Sequence, residues 1–236
     1  MIEVIAFDGD DTLWHNEGIF ADTQARYREL LAHRSDPAVL DERLLDTERR
    51  NLELFGYGVK GFMLSMIETA IEVTEGAVTA GEVQQILELG KEMLAHPVEL
   101  IDGVDEVVAQ LAAHHRLVLV TKGDLFHQES KIARSGLADF FERIEIVHEK
   151  DERTFARVIA ATRVEPARFV MVGNSVRSDV LPVLALGGRA VHVPYHLTWE
   201  LEHAEPPTEH DGYWSIDTLR ELPELVATVI TRSPTP

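Results

Sequence analysis

The sequence predicts an α/β protein with a doubly wound, mostly parallel, Rossmann-like sheet and an inserted α-helical domain. Five short apolar segments rich in β-branched residues recur along the chain, and from Gly103 onward they alternate with helical patterns. Such alternation is typical of βαβ units in a parallel sheet. The long stretch between the first two segments contains helical patterns but no convincing strand. The five predicted strands span residues 2–7, 117–120, 144–147, 169–172 and 189–193.

The helical stretch after the first strand is predicted to be a domain inserted into the sheet. An apolar stripe with helical spacing runs through residues 59–70. Residues 79–82, Thr-Ala-Gly-Glu, have the form of a capping box at the start of a further helix. The predicted domains are a core made of residues 1–14 and 99–236 and a helical cap made of residues 15–98.

The later elements continue the alternation. Residues 104–111 carry apolar side chains at i, i+3, i+4 and i+7, the period of a buried helix face. Gly136 is expected to end the helix that follows the second strand. From Val193 the chain is predicted to be irregular and proline-rich, before one final helix near residues 218–230.

The composition is that of a folded globular protein. The chain has 236 residues, of which 45% are hydrophobic and 27% charged, enough for a substantial core. Its formal net charge is −19, from 41 acidic and 22 basic residues. Phosphate backbones and anionic lipids repel so acidic a chain, so we expect no nucleic-acid partner and no membrane partner.

The chain contains no cysteine, which excludes disulfides, thiolate catalysis and cysteine-ligated zinc. The opening MIEVIAFDGDD has no basic segment, and its apolar run is too short for a signal peptide. No stretch reaches the ~18 apolar residues that a membrane helix needs. We therefore expect a soluble cytoplasmic protein, and no pattern indicates its oligomeric state.

Three carboxylates follow the first strand directly. Asp8, Asp10 and Asp11 lie within four positions, and charges so close repel unless a cation is present or one acid stays protonated. An acidic turn or a helix N-cap is the alternative interpretation, because aspartate is common at both.

Polar residues also follow the next three strands. Thr121 and Lys122 come after the second, where they suit an anion site or merely the start of a helix. Lys150 lies in an acidic turn after the third, where a lysine is usually a solvated charge. Asn174 and Asp179 come after the fourth, and the aspartate suits either the first turn of a helix or a metal ion.

Together the four motifs resemble those of the haloacid dehalogenase-like hydrolase superfamily, and the resemblance covers essentially the whole chain. The first motif, Asp-x-Asp-x-Thr after an apolar strand, is highly specific, whereas the second and third are weak without it. Lys131 is the alternative residue for the third motif. The matching residues, in motif order, are Asp8, Asp10 and Thr12; Thr121; Lys150; and Gly173 with Asp179.

Two positions depart from the family pattern. Asn174 stands where the family usually has an acid that binds magnesium, so a neutral amide replaces a charge and metal affinity is expected to fall unless Asp179 compensates. Lys122 replaces the asparagine that often follows the second motif. An extra cation there favours a dianionic substrate or offsets the surplus of acidic charge.

The resemblance implies a magnesium-dependent phosphatase. Asp8 would attack phosphorus and become an aspartyl phosphate, and Asp10 would serve first as general acid and then as general base. The implied substrate is a small phosphorylated metabolite such as a nucleotide, a sugar phosphate or phosphoglycolate. The implied Mg²⁺ ligands are Asp8, Asp10, Asn174 and Asp179, and the implied phosphate-binding residues are Thr121, Lys122 and Lys150.

Other activities stay open at this point. A phosphomutase on the same scaffold would return the phosphoryl group to a sugar, and a non-catalytic phospholigand-binding protein is supported by Asn174 alone. Haloacid dehalogenases attack carbon and need neither the second acid nor a metal, so Asp10 favours phosphoryl transfer.

Side chains of the helical insertion are candidates for substrate contact. Tyr57 and Lys60, in a segment interpreted as a loop, are the candidates for specificity. Phe20 and Met63 lie on apolar stripes, and we predict that they pack in the core instead.

Overall fold

The computed structural model describes residues 2–230 and contains a six-stranded parallel sheet. The strand order is β3-β2-β1-β4-β5-β6, which reverses direction between β1 and β4. In doubly wound sheets this reversal opens a crevice at the carboxyl ends of the strands. The predicted fold class is therefore confirmed. The strands are β1 (Val4–Phe7), β2 (Arg116–Lys122), β3 (Arg143–Val147), β4 (Phe169–Gly173), β5 (Arg189–His192) and β6 (Tyr213–Ser215).

Helices precede, connect and follow these strands. A wider, π-helical turn at Val176–Val180 leads into the short helix after β4. The described residues include no helix with the length and apolar character needed to cross a bilayer. The α-helices are α1 (Glu17–Leu31), α2 (Pro37–Phe55), α3 (Val59–Val73), α4 (Ala80–Ala95), α5 (Val104–Ala112), α6 (Leu125–Ser135), α7 (Glu152–Thr162), α8 (Leu181–Ala185) and α9 (Leu222–Leu225).

Both faces of the sheet are buried, which explains the near-continuous apolar sequences of its central strands. In β1, Ile5 and Phe7 join the core on one face, while Val4 and Ala6 join the core on the other. Residues of α5 and α9 complete the first core, and residues of α7 and α8 complete the second. This packing fixes the end of β1, where Asp8 follows.

The chain divides into two compact units. The sheet unit comprises residues up to Glu17, Val98–Lys122 and the chain from Gln128 onward. The helical unit comprises Gly18–Pro97 and the short segment Gly123–His127. The predicted insertion, residues 15–98, did not include that segment, which lies after β2 in the sequence.

The helical unit has its own apolar core, to which α1, α2, α3 and α4 all contribute. Thr79 and Glu82 form the predicted capping box at the start of α4. Phe20 and Met63 pack against this core, as predicted. The largest fully buried side chains in the unit are Tyr27, Leu31, Leu40, Leu44, Met66 and Ile86.

The segment that carries Tyr57 and Lys60 is not wholly a loop, so that interpretation was wrong for Lys60. Helix α3 begins at Val59, which is buried and joins the apolar stripe, after Gly58 has turned the chain with φ of 107°. Lys60 therefore lies in the first turn of α3, and its Nζ is 3.0 Å from both carboxylate oxygens of Asp124. Tyr57 remains in the short connection between α2 and α3.

Residues 213–215 form β6, a strand that the sequence did not predict. It pairs in parallel with β5 and adds a sixth strand to the edge of the sheet. The final helix predicted near residues 218–230 is present as a 3₁₀ turn, then α9, then a π-helical turn that ends at Ile230.

Candidate active site

The predicted site residues lie at the carboxyl ends of four neighbouring strands. Asp8 directly follows β1, and its backbone N–H donates to the Val172 carbonyl of β4 over 2.9 Å. Thr121 and Lys122 end β2, Lys150 follows β3, and Gly173 ends β4. All of them therefore lie along the edge at which the strand order reverses.

Asp8 and Lys150 form a buried ion pair. The Lys150 ammonium donates to Asp8 Oδ1, and it also lies 2.6 Å from Asp179 Oδ1. Burial raises the pKa of Asp8 to about 7, against the opposing effect of Lys150 and with a further contribution from the charge of Asp179. Burial alone would lower the pKa of Lys150, but the two carboxylates raise it. Lys150 is therefore a fixed cation shared by two acids.

Asp179 holds the loop after β4 in place. Besides its pair with Lys150, its Oδ2 accepts the backbone N–H of Ser175 over 3.0 Å. A Cβ on Gly173 would lie 2.2 Å from the same oxygen, so only glycine leaves room for this approach. Both carboxylate oxygens of Asp179 thus have donors from the protein itself.

Asn174 brings a third oxygen to Asp8. In one of the two orientations of its amide, the side-chain oxygen of Asn174 lies 3.2 Å from Asp8 Oδ2 and 3.3 Å from the backbone oxygen of Asp10. These are three acceptors facing one another, with the Thr12 hydroxyl donating weakly to Asp8 and Asn174 over 3.3 and 3.4 Å. Half a rotation of the amide would instead place its nitrogen there as a donor. Either a donor or a cation has to separate these oxygens.

This group of oxygens contains only one carboxylate side chain. Among residues 2–230, no three His, Asp or Glu side chains are grouped so that they could hold a metal ion. A cation at this edge of the sheet would therefore use the Asn174 amide and the Asp10 backbone oxygen beside Asp8. Oxygen ligands of this mixed kind are suited to hard divalent cations.

Asp10 has a separate set of partners. Lys131 Nζ lies 2.5 Å from its Oδ1 and 2.7 Å from its Oδ2. Gln128 Nε2 donates to Oδ2 over 2.9 Å, and Trp14 Nε1 donates to Oδ1 over 2.5 Å. Burial alone would raise the pKa of Asp10, but Lys131 and the other donors lower it below its ordinary value. Lys131 thus binds the second acid of the motif, while Lys150 binds the first.

Asp11 caps the start of α1. Its Oδ1 accepts the backbone N–H groups of Asn16 and Glu17 over 2.9 and 3.0 Å. The residue has φ of 60°, a left-handed conformation that is uncommon for aspartate. Burial raises the pKa of Asp11 to about 7 in spite of these donors. The three acids bind different donors, which offset part of the repulsion expected among them.

Thr121 places a buried hydroxyl at the end of β2. Its Oγ1 is buried and has no hydrogen-bond partner within residues 2–230. A Cβ on Gly9 would lie 3.2 Å from this oxygen and 2.7 Å from the Trp14 ring, so glycine keeps the backbone close to the hydroxyl. A buried donor of this kind suits an anion that enters between β1 and β2.

Lys122 is paired with a residue that the sequence analysis missed. Its ammonium donates to Glu202, in a 3₁₀ turn within the segment predicted to be irregular, and to Ser178 Oγ over 2.9 Å. The Ser175 and Ser178 hydroxyls each donate to Glu202 over 2.6 Å. No sequence motif marks Glu202, because its partners lie 24 to 80 positions away.

Comparison with known proteins identifies the family of the chain. A family model described as haloacid dehalogenase-like hydrolase matches residues 2–187. A haloacid dehalogenase-like family hydrolase of Xanthomonas campestris is 47% identical, with a TM-score of 0.86 over 96% of this chain and 91% of that one. A 2-haloacid dehalogenase of Pseudomonas syringae shares the fold at 22% identity, with a TM-score of 0.61 over 96% and 99% of the two chains.

A curated relative has a named activity. Glyceraldehyde 3-phosphate phosphatase of Pyrococcus furiosus is 29% identical over 113 residues, which cover 46% of this chain and 45% of that protein. The match thus spans about half the length of that relative. The family assignment itself depends on the model match, which covers most of the sequence and all four motifs. This chain belongs to the haloacid dehalogenase-like hydrolase family.

Proposed function

We propose that the protein is a magnesium-dependent phosphatase that acts on a small phosphomonoester through an aspartyl phosphate on Asp8. The group of oxygens formed by Asp8, the Asp10 backbone and Asn174 carries this proposal. Two of these oxygens lie 3.2 and 3.3 Å from the third. Adjacent ligands of an octahedral Mg²⁺ ion, each about 2.1 Å from the metal, lie about 3 Å apart, so the spacing fits this ion.

The two candidate metal ligands after β4 would have different roles. Asn174 would be the side-chain ligand from this loop, because its amide lies beside Asp8 and can turn its oxygen toward a bound cation. Asp179 would hold the loop and Lys150 in place, since its own oxygens already accept from Ser175 and Lys150. When bound, Mg²⁺ would neutralise negative charge on the phosphoryl group and on Asp8.

Thr121 and Lys150 would bind the phosphoryl oxygens. The buried hydroxyl of Thr121 is available as a donor, and Lys150 is a fixed cation beside the nucleophile. Preorganised donors of this kind stabilise the charge that develops in the transition state. Lys122 would contribute less than these two, because its ammonium is paired with Glu202.

The reaction would proceed in two displacements. An Asp8 oxygen forms a bond to phosphorus as the bond to the ester oxygen breaks, and the departing alkoxide takes a proton from Asp10. Water then attacks the aspartyl phosphate while Asp10 takes back a proton. Inorganic phosphate leaves, and the Asp8 carboxylate is regenerated.

Asp10 favours phosphatase over dehalogenase chemistry. Attack on carbon expels a halide, which needs no proton, so a positioned acid at Asp10 would have no task. Three donors nevertheless fix this carboxylate. The activity in the name of the Pyrococcus relative supports the same choice, whereas the dehalogenase resemblance lies below 25% identity and concerns the fold.

The direct test is phosphate release from 4-nitrophenyl phosphate, with Mg²⁺ and with EDTA. We expect activity that requires the metal and that disappears in Asp8→Asn. The matched control is Asp22→Asn, the same substitution at an exposed position of α1, which should leave the rate unchanged. Chloride release from 2-chloropropionate without phosphate release would contradict the proposal. A panel of phosphomonoesters, beginning with glyceraldehyde 3-phosphate, would then define the substrate.

A further inference from the structure

We infer that Lys131 is a positioning residue that fixes the Asp10 carboxylate in the orientation needed for proton transfer. The inference rests on the proposed function, in which Asp10 is the general acid and base. Lys131 is buried, and besides both oxygens of Asp10 its ammonium binds the Asn16 side-chain oxygen over 3.2 Å.

Two segments supply the donors that surround Asp10. Gln128 and Lys131 lie three positions apart on α6, so their side chains share one face of the helix. Trp14 approaches from the other side, and its backbone forms an isolated bridge with Asp10 itself. The carboxylate cannot rotate without losing at least one of its four hydrogen bonds, which come from three donor residues.

Helix α6 is also fixed relative to β2, whose end carries Thr121. Gln128 Nε2 donates to the Lys122 backbone oxygen over 3.0 Å as well as to Asp10. The end of β2, which carries Thr121, is therefore linked to Asp10 through a single side chain. Such a connection sets the distance between the acid and the position where an anion would bind.

Stability alone does not account for this arrangement. A buried ion pair gains little net stability, because removing both charges from water offsets their attraction. The Lys131 side chain is 8% exposed, whereas that of Asp10 is 22% exposed, so the acid is more accessible to solvent than its lysine. A fixed orientation matters for proton transfer because small misplacements of a catalytic group slow the reaction strongly.

The test uses substrates that differ in their need for a proton. An alkoxide leaves slowly unless it is protonated, whereas 4-nitrophenolate leaves without help. We expect Lys131→Met to lower kcat/KM for an alkyl phosphate such as glycerol phosphate by about thirtyfold, and for 4-nitrophenyl phosphate by less than about threefold. Lys131→Arg should restore part of the loss.

Two further variants separate positioning from general damage. In a double-mutant cycle, Lys131→Met should add almost nothing to Asp10→Asn, because the group that it positions is already absent. Lys91→Met, at an exposed lysine of α4, is the matched control and should change neither substrate. An equal loss with both substrates, or full additivity with Asp10→Asn, would overturn the inference.

A spectroscopic readout tests the positioning without any turnover. The chain has three tryptophans, and Trp14 is the one whose indole N–H donates to Asp10. In ¹H–¹⁵N spectra we expect Lys131→Met to shift the Trp14 indole resonance, assigned with Trp14→Phe, while those of Trp199 and Trp214 stay in place. An unmoved Trp14 resonance would contradict the inference. Absence of phosphate release from the wild type would instead contradict the proposed function, and the Trp14 result would still judge the positioning.

Discussion

The two halves of the first motif can be compared directly, because each acid binds one buried lysine. Asp8 binds Lys150, and Asp10 binds Lys131. Nevertheless, the pKa of Asp8 is raised to about 7, whereas the pKa of Asp10 is lowered. The same pair of residue types thus leaves two neighbouring carboxyls in opposite electrostatic situations.

The difference lies in how each lysine is shared. Lys150 binds both Asp8 and Asp179, so the charge of Asp179 contributes to raising the pKa of Asp8. Lys131 binds a single carboxylate, which has two neutral donors in addition. The pKa of a buried acid therefore depends on how many acids share the neighbouring cation and on the neutral hydrogen-bond donors, as well as on the cation itself.

The largest effect is expected when the shared lysine is removed. Lys150→Met should lower kcat by about a thousandfold, because it removes a cation that would stabilise the transition state. It also leaves two buried carboxylates without their counter-charge, which should cost about 3–5 kcal/mol of unfolding free energy in EDTA. Phosphate-release assays and urea denaturation measure the two effects. Adding Asp179→Asn should recover part of the stability, and no recovery would show that the two acids do not share this lysine.

A smaller effect is expected when Asp179 is displaced while Lys150 is kept. Gly173→Ala would place a methyl group 2.2 Å from Asp179 Oδ2, and the resulting shift should lower kcat/KM by about a hundredfold. Gly18→Ala is the control, since nothing lies within 4 Å of its added methyl. Equal activity of the two variants in the phosphate-release assay would contradict this role of Gly173.

The charge at Asn174 sharpens the comparison on the Asp8 side. Asn174→Asp adds a carboxylate to the proposed metal ligands, so Mg²⁺ should bind about tenfold more tightly. The thermal midpoint of unfolding, measured over a range of Mg²⁺ concentrations, reports this affinity, because an ion that binds only the folded state stabilises it. Without metal, the extra charge beside Asp8 should instead lower the midpoint. A variant with unchanged Mg²⁺ dependence would show that Asn174 does not face the ion.

The smallest expected effect tests the opposite pKa shifts. Because folding raises the pKa of Asp8 above 3.8, the protein loses stability from this group as the pH rises toward about 7. The lowered pKa of Asp10 does the reverse, and its contribution is lost on acidification. At about pH 8 in EDTA, Asp8→Asn should therefore raise the unfolding free energy by about 1 kcal/mol, whereas Asp10→Asn should lower it.

The Asp8 difference should shrink as the pH falls from about 7 toward about 4. The Asp10 difference should shrink only below about pH 4, where this carboxyl becomes protonated in the unfolded chain. Urea denaturation at a series of pH values measures them. If Asp8→Asn and Asp10→Asn changed the unfolding free energy in the same direction, the contrast between the two ion pairs would be contradicted.

Much of the fold followed from local patterns. The strands beginning at Val4, Arg116, Arg143, Phe169 and Arg189 have apolar, β-branched sequences because most of them are buried on both faces. Strand β6 was missed because Tyr213–Ser215 is only three residues long and partly exposed. Only its pairing with β5 makes it a strand, and that pairing depends on tertiary structure.

The sequence predicted which residues lie at the site, but not which side chains bind one another there. Parallel strands bring their carboxyl ends to one edge, so the neighbourhood of Asp8, Thr121 and Lys150 followed from strand order. The partner of Asp10 did not, since it depends on which face of α6 points toward the site. Glu202 could not be predicted either, because it lies in a 3₁₀ turn within a segment that has no regular sequence pattern.

The central place of β1 in the sheet has a consequence for how the protein is made. Its neighbours are β2 and β4, which begin at Arg116 and Phe169. On the ribosome, the strand that leads into Asp8 is therefore completed before its two neighbours and stays unpaired until more than a hundred further residues have been added. Pairing of such distant segments is slow, and an apolar strand that waits for it is open to association with other chains. We expect newly synthesised chains to depend on chaperones during this interval.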